Sequence, residues 1–84
     1  MNNYSSSVVA LSTTEATVIA RNDNRTALIL SNQSAVAMHI YTETNSTEYI
    51  VIAAGGTFEF QNPPSNELRG VTASSTGNLA VWEA

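Results

Sequence analysis

Cysteine is absent from this 84-residue chain, so no disulfide can staple it. With one histidine, His39, and no thiolate, a structural metal is not expected either. Lysine is also missing: Arg21, Arg25 and Arg69 are the cations, set against seven acids for a net charge of −4. So little positive charge suits phosphate neutralisation poorly, and nucleic-acid binding is not expected. No apolar run approaches the roughly 20 residues that span a membrane. Nor does Met1 to Ser7 carry a basic segment leading into an apolar one, so neither a membrane span nor a signal peptide is expected. Helix patterning is missing too. Apolar residues at i, i+3, i+4 and i+7 are everywhere interrupted by Thr, Ser or Asn, which leaves at most one helical turn near Ser65 to Leu68.

What the chain has instead is Ser, Thr and Asn, about a third of its residues, alongside 43% apolar ones. That apolar content argues for a folded chain. Short runs rich in Val, Ile, Thr and aromatics recur at Val8 to Leu11, Ala16 to Ala20, Thr26 to Ser31, Ala37 to Thr42, Glu48 to Ala53, Thr57 to Phe60, Gly70 to Ser74 and Asn78 to Glu83. Between them lie turn clusters: Asn22-Asp23-Asn24, Asn32-Gln33-Ser34, Thr44-Asn45-Ser46, Gly55-Gly56, Asn62 to Asn66 with its two prolines, and Ser75-Thr76-Gly77. The pattern predicts an all-β fold: one domain over 1–84, a single small antiparallel β-sandwich or jelly-roll-like barrel of about eight short strands. Residues 1–5 are expected to form a flexible tail.

A domain this small buries only a little over roughly 60% of its unfolded surface, and with disulfides and metal set aside, oligomerisation is the remaining stabilising device. The strand pattern agrees. Phe58 and Phe60 share one face with Glu59 on the other, but Ala27 to Leu30, Tyr49 to Ile52 and Leu79 to Trp82 are apolar on both faces. One layer cannot cover both faces of a sheet, so Ile29, Val51 and Trp82 are the candidate subunit interface.

Catalytic patterns are not found. His39 and Asp23 are the single histidine and aspartate, and no serine sits in a Gly-x-Ser-x-Gly elbow. Gly55-Gly56 lacks the lysine of a phosphate-binding loop. Asn24-Arg25-Thr26, Asn32-Gln33-Ser34 and Asn45-Ser46-Thr47 match the N-glycosylation pattern, which such a composition produces by chance. Glu43 and Glu48 flank Thr44 to Thr47; a four-residue hairpin loop there would set the two carboxylates opposite one another, as candidate oxygen ligands for Ca²⁺. A solvated pair at a loop mouth is the simpler expectation. No catalytic residue, cofactor or enzyme activity is expected.

The order of elements resembles a known family. A Thr-rich opening pair of strands, then Asn22 to Ser34 (Asn-Asp-Asn-Arg-Thr-Ala-Leu-Ile-Leu-Ser-Asn-Gln-Ser), His39-Ile40-Tyr41, Ile52 to Phe60 around Gly55-Gly56, and Gly70 to Glu83 together resemble small β-sandwich virion proteins of tailed bacteriophages, over about Val8 to Glu83. The Glu43 to Tyr49 connection is longer than that family's pattern. The resemblance implies a capsid cement or decoration protein, or a short head fibre. It would be a homotrimer made in the host cytoplasm and bound to the major capsid protein on the outer surface of the virion. The alternative is a carbohydrate- or receptor-binding module of a fibre or tail, with Tyr41, Tyr49 and Trp82 as a stacking platform.

Overall fold

The computed structural model describes residues 3–84, and every described element is a β-strand, a turn or a bend. Eight strands follow in order: β1 (Ser5–Leu11), β2 (Ala16–Ile19), β3 (Leu28–Asn32), β4 (Met38–Thr42), β5 (Asn45–Ile52), β6 (Thr57–Phe60), β7 (Leu68–Thr72) and β8 (Gly77–Glu83). All eight expected runs are strands, displaced by at most three residues at their ends. Of the expected tail, Met1 and Asn2 lie outside the described residues, while Ser5 already pairs with Glu83.

Two four-stranded antiparallel sheets face each other, ordered β1-β8-β3-β6 (sheet A) and β2-β7-β4-β5 (sheet B). Successive strands change sheet at every connection except the β4–β5 hairpin. The chain thus winds as a doubled ribbon, the jelly-roll path, and its first and last strands pair along seven residues from Ser5↔Glu83 to Leu11↔Gly77.

Alternation decides what fills the space between the sheets. Leu11, Leu28, Leu30, Leu79 and Val81 point inward from sheet A and meet Val18, Met38, Ile40, Ile52 and Leu68 from sheet B, all buried. Because every second residue turns outward, Ile29, Trp82 and Val51 leave that core. Gly70 lies on the inner face of β7, where a Cβ would sit 2.8 Å from Ile40 Cδ1 and 3.1 Å from Val18 Cγ2; glycine leaves room for these side chains of the two neighbouring strands, β4 and β2, to lean over β7. Gly55, at φ 73°, supplies the left-handed turn residue before β6.

The structure decides two loop segments that the sequence left open. No helical turn forms at Ser65 to Leu68: Ser65 and Asn66 are bends and Leu68 opens β7. The carbonyls a helix would need are already taken, since Arg25 donates to the carbonyls of Pro64 and Asn66 and the Asn22 amide donates to that of Ser65. The β4–β5 connection is likewise no four-residue loop. It is a tight turn at Glu43-Thr44 with Thr42 paired to Asn45 and a bulge between Ile40 and Thr42. The Asn45 side chain accepts from the amide (3.0 Å) and hydroxyl (2.7 Å) of Thr47, which draws the segment into β5.

Candidate functional site

Three places carry exposed or unusual chemistry, and the first is the outer face of sheet A. Register sets Ser6, Trp82, Ile29 and Glu59 side by side in one row across the sheet, and Val8, Ala80, Ser31 and Thr57 in the next. Tyr4 lies edge-on to Trp82, with ring centroids 6.5 Å apart. Trp82, Val8 and Tyr4 keep 46%, 66% and 42% of their surface exposed, while Ile29 is half-buried between its neighbours. These side chains form an apolar stripe that shares the outer face with Ser6 of β1 and Ser31 of β3. Two of the three candidate interface residues, Ile29 and Trp82, are thus direct cross-strand neighbours. Val51 is not with them: it lies on the outer face of sheet B, in a row with His39 and Val71. The sequence showed that each residue was outward-facing, but not which sheet each belonged to.

The outer face of sheet B is more polar. His39 stacks on Tyr49, with ring centroids 4.4 Å apart and planes within 11°. Beside them, Arg69 bridges Glu15 (3.3 Å) and Glu67 (3.2 Å), Thr17 donates to Glu67 (2.7 Å) and the Tyr41 hydroxyl donates to Glu15 (2.8 Å). The Thr17 hydroxyl and then Arg69 hold the Glu67 carboxyl below the usual glutamate range. Partial burial, followed by the hydrogen bond to Glu15, raises the Tyr41 phenol. Arg69 is held above its ordinary value, first by its hydrogen bond to Glu67.

The third place is a cleft of about 270 Å³ where the β5 edge of sheet B meets the β6 edge of sheet A. Ile40, Ile50 and Leu68 line it from sheet B, and Phe60 and Pro64 close the other side. Phe60 is braced by Phe58 in an edge-to-face contact with centroids 4.8 Å apart. Thr42, Tyr41, Tyr49 and Glu48 complete its lining. The mouth of a β-barrel is a common place for a ligand, and neither a cation nor an imidazole lines this one.

Among the described residues no group of three His, Cys, Asp or Glu side chains lies where it could hold a metal ion. Glu43 and Glu48 do not face one another across the turn, because the tight Glu43-Thr44 connection pairs Asn45, not Glu48, with the end of β4. Glu43 instead accepts from Asn66 (3.3 Å) through Oε1, while its Oε2 is buried with no protein partner. The core between the sheets is Leu, Ile, Met and Val, and the buried polar side chains Asn32 and Thr72 at its margin are hydrogen-bonded to backbone carbonyls. No helix is long and apolar enough to cross a membrane.

Two polar groups that sequence reasoning undervalued turn out to be structural. Arg25 has a fully buried side chain, and its guanidinium meets Glu83 (2.7 Å), the Ala20 carbonyl (2.7 Å) and the carbonyls of Pro64 and Asn66. Asn32, 1% exposed, donates to the carbonyls of Val36 (2.8 Å) and Ile52 (3.0 Å) and accepts from the Ser34 amide and hydroxyl. Its burial also closes that acceptor pattern to a glycan. The only signal for either was position: Arg25 shortly precedes β3 and Asn32 ends it.

No family model and no curated protein matches the chain. Three solved structures are similar in fold. A cupin-2 domain protein from Shewanella frigidimarina superposes with a TM-score of 0.60 at 16% identity, over 98% of this chain and 71% of that one. A de novo designed double-stranded β-helix gives 0.60 at 13% identity, over 99% and 100%. A structure reported under the statement that Bacillus endospore appendages form a family of disulfide-linked pili gives 0.54 at 16% identity, over 96% and 82%. At these identities the likeness is one of fold, and it places the chain among double-stranded β-helices, the jelly-roll-like barrels.

Proposed function

We propose that this chain is a non-enzymatic structural protein of a tailed-phage virion, a capsid cement or decoration protein that works as a homotrimer on the outer shell. The observation that carries this reading is the apolar stripe of Tyr4, Val8, Ile29 and Trp82 on the outer face of sheet A. A patch of aromatic and aliphatic side chains flanked by Ser6 and Ser31 has the make-up of an interface core. The fold itself serves assembly elsewhere, as in the pilus-forming endospore appendages. Without cysteine this chain would hold its neighbours by area alone.

A cement protein acts by avidity: each copy touches several coat subunits across a seam, so opening the seam breaks many contacts together. The gain is kinetic, a higher barrier to rupture under heat or internal pressure. The sequence-level alternative, a carbohydrate- or receptor-binding module, called on Tyr41, Tyr49 and Trp82 as one platform. Trp82 lies on sheet A and both tyrosines on sheet B, on the far side of the core, so no single sugar ring reaches all three.

Light scattering coupled to size-exclusion chromatography tests the oligomer, with a trimer expected at micromolar concentration. A cryo-EM map of the parent particle tests the location, with density expected on the outer head surface. A strictly monomeric chain, or a particle whose head lacks that density, would overturn the reading.

A further inference from the structure

The β5–β6 cleft is unused by the apolar stripe, and charge bookkeeping across the molecule says what it suits. Every arginine is engaged within the fold: Arg21 with Asp23 (3.1 Å), Arg25 with Glu83 (2.7 Å), Arg69 with Glu15 and Glu67. Four of the acids are matched by these pairs. Among the described residues Glu43, Glu48 and Glu59 have no cation within reach, and Glu48 lines the cleft. Apart from Thr42 its remaining walls are apolar or aromatic residues, and no positive group stands there to receive an anion.

We propose that this cleft takes an arginine side chain presented by a partner protein, the methylene stem lying against Ile40, Ile50 and Phe60 and the guanidinium meeting the Glu48 carboxylate. This deepens, and rests on, the reading of the chain as a contact-making protein. The match is one of shape and charge together. Arginine has an apolar stem and a planar cationic head, which suits a cleft walled by Ile40, Ile50, Leu68 and Phe60 with the single carboxylate of Glu48 in its lining. About 270 Å³ holds one long side chain and falls below the usual volume for a drug-sized ligand. A second copy of this chain is a poor source, because its own arginines are already paired, Arg25 with its side chain fully buried.

The test is an NMR titration of the ¹⁵N-labelled chain with a capped Gly-Arg-Gly tripeptide and with the same peptide carrying citrulline, the uncharged isostere. The arginine peptide is expected to shift the amides of Glu48, Ile50 and Phe60 with a millimolar Kd, and citrulline to bind about threefold or more weakly. Glu48→Gln should bring the arginine peptide down to the citrulline level. Ile50→Trp, which fills the cleft, should abolish the shifts with the rest of the spectrum unchanged. Equal binding of the two peptides, indifference to Glu48→Gln, or shifts centred elsewhere would overturn the proposal. So would no shift at all, or a cleft filled by a monosaccharide or, on concentrating the chain alone, by a second copy. These failures are separable from failure of the wider reading: a trimer seen on the shell with a cleft blind to arginine refutes only the arginine site, whereas a monomer missing from the shell refutes the wider reading whatever the peptides do.

Discussion

Arg25 ties together three segments that are distant in sequence. Its guanidinium bonds to the end of β2 through Ala20, to the loop before β7 through Pro64 and Asn66, and to β8 through Glu83, with Asn22 adding a bond to the same carboxylate (3.2 Å). Arg25→Ala leaves those carbonyls without the guanidinium and the largely covered Glu83 carboxylate with Asn22 alone, and should cost about 3 kcal/mol in urea denaturation. A loss below about 1 kcal/mol, the range of a surface pair, would show that the network is incidental. Asn32 acts similarly at the opposite end of β3. Asn32→Ala orphans buried carbonyls of β5 and the β3–β4 turn, with an expected loss of about 2 kcal/mol by the same measurement. Both residues read as ordinary turn-flanking polar residues in the sequence. Their importance comes from partners up to 58 residues away, which no local pattern records.

At the scale of elements, β7 joins β2 to β4 at the middle of sheet B and is exacting on both faces. Inside, Gly70→Val would drive methyl groups into Ile40 and Val18 and should destabilise by about 2 kcal/mol in thermal melts. Outside, the Glu67 carboxyl is held below its ordinary value of 4.5 by Thr17 and Arg69. A depressed carboxyl stabilises the fold fully above its unfolded value, and the contribution disappears as pH falls through the folded one. Acidification below about pH 4.5 should therefore lower Tm, and Glu67→Gln should make that decline shallower. An unchanged slope would mean that Glu67 is not among the carboxyls that matter. Strand existence was legible here, since eight β-rich runs separated by turn residues became eight strands. The ends were less so: β5 begins at Asn45 because an Asx turn and a bulge pull a polar segment into the ladder.

For the whole molecule, the path of the chain dominates. β1 pairs with β8 and β2 with β7, so most of each sheet forms only after distant segments meet. Such topology carries a large loop-closure cost before any contact offsets it, and stopped-flow refolding should run in the range of milliseconds to seconds. Microsecond refolding would contradict that. The exposed stripe makes its own demand at this scale. If Trp82 packs in a trimer, Trp82→Ala should shift the light-scattering mass toward monomer, while Val51→Ala, on the other sheet, should leave the mass unchanged. The opposite result would move the interface to sheet B.

By itself the sequence determined the chemistry: an all-β chain without disulfides, with few charges and no lysine, and with alternating strands whose inward residues are Leu, Ile, Val and Met. Those properties are local or additive, so composition and period suffice to read them. Only the tertiary structure decided which outward residues share a surface. Ile29 and Trp82 adjoin because β3 and β8, about 50 residues apart, are neighbours in one sheet, and Val51 is parted from them because β5 closes the other. Strand pairing is set by the winding of the whole chain, and no window short enough to show a pattern contains it.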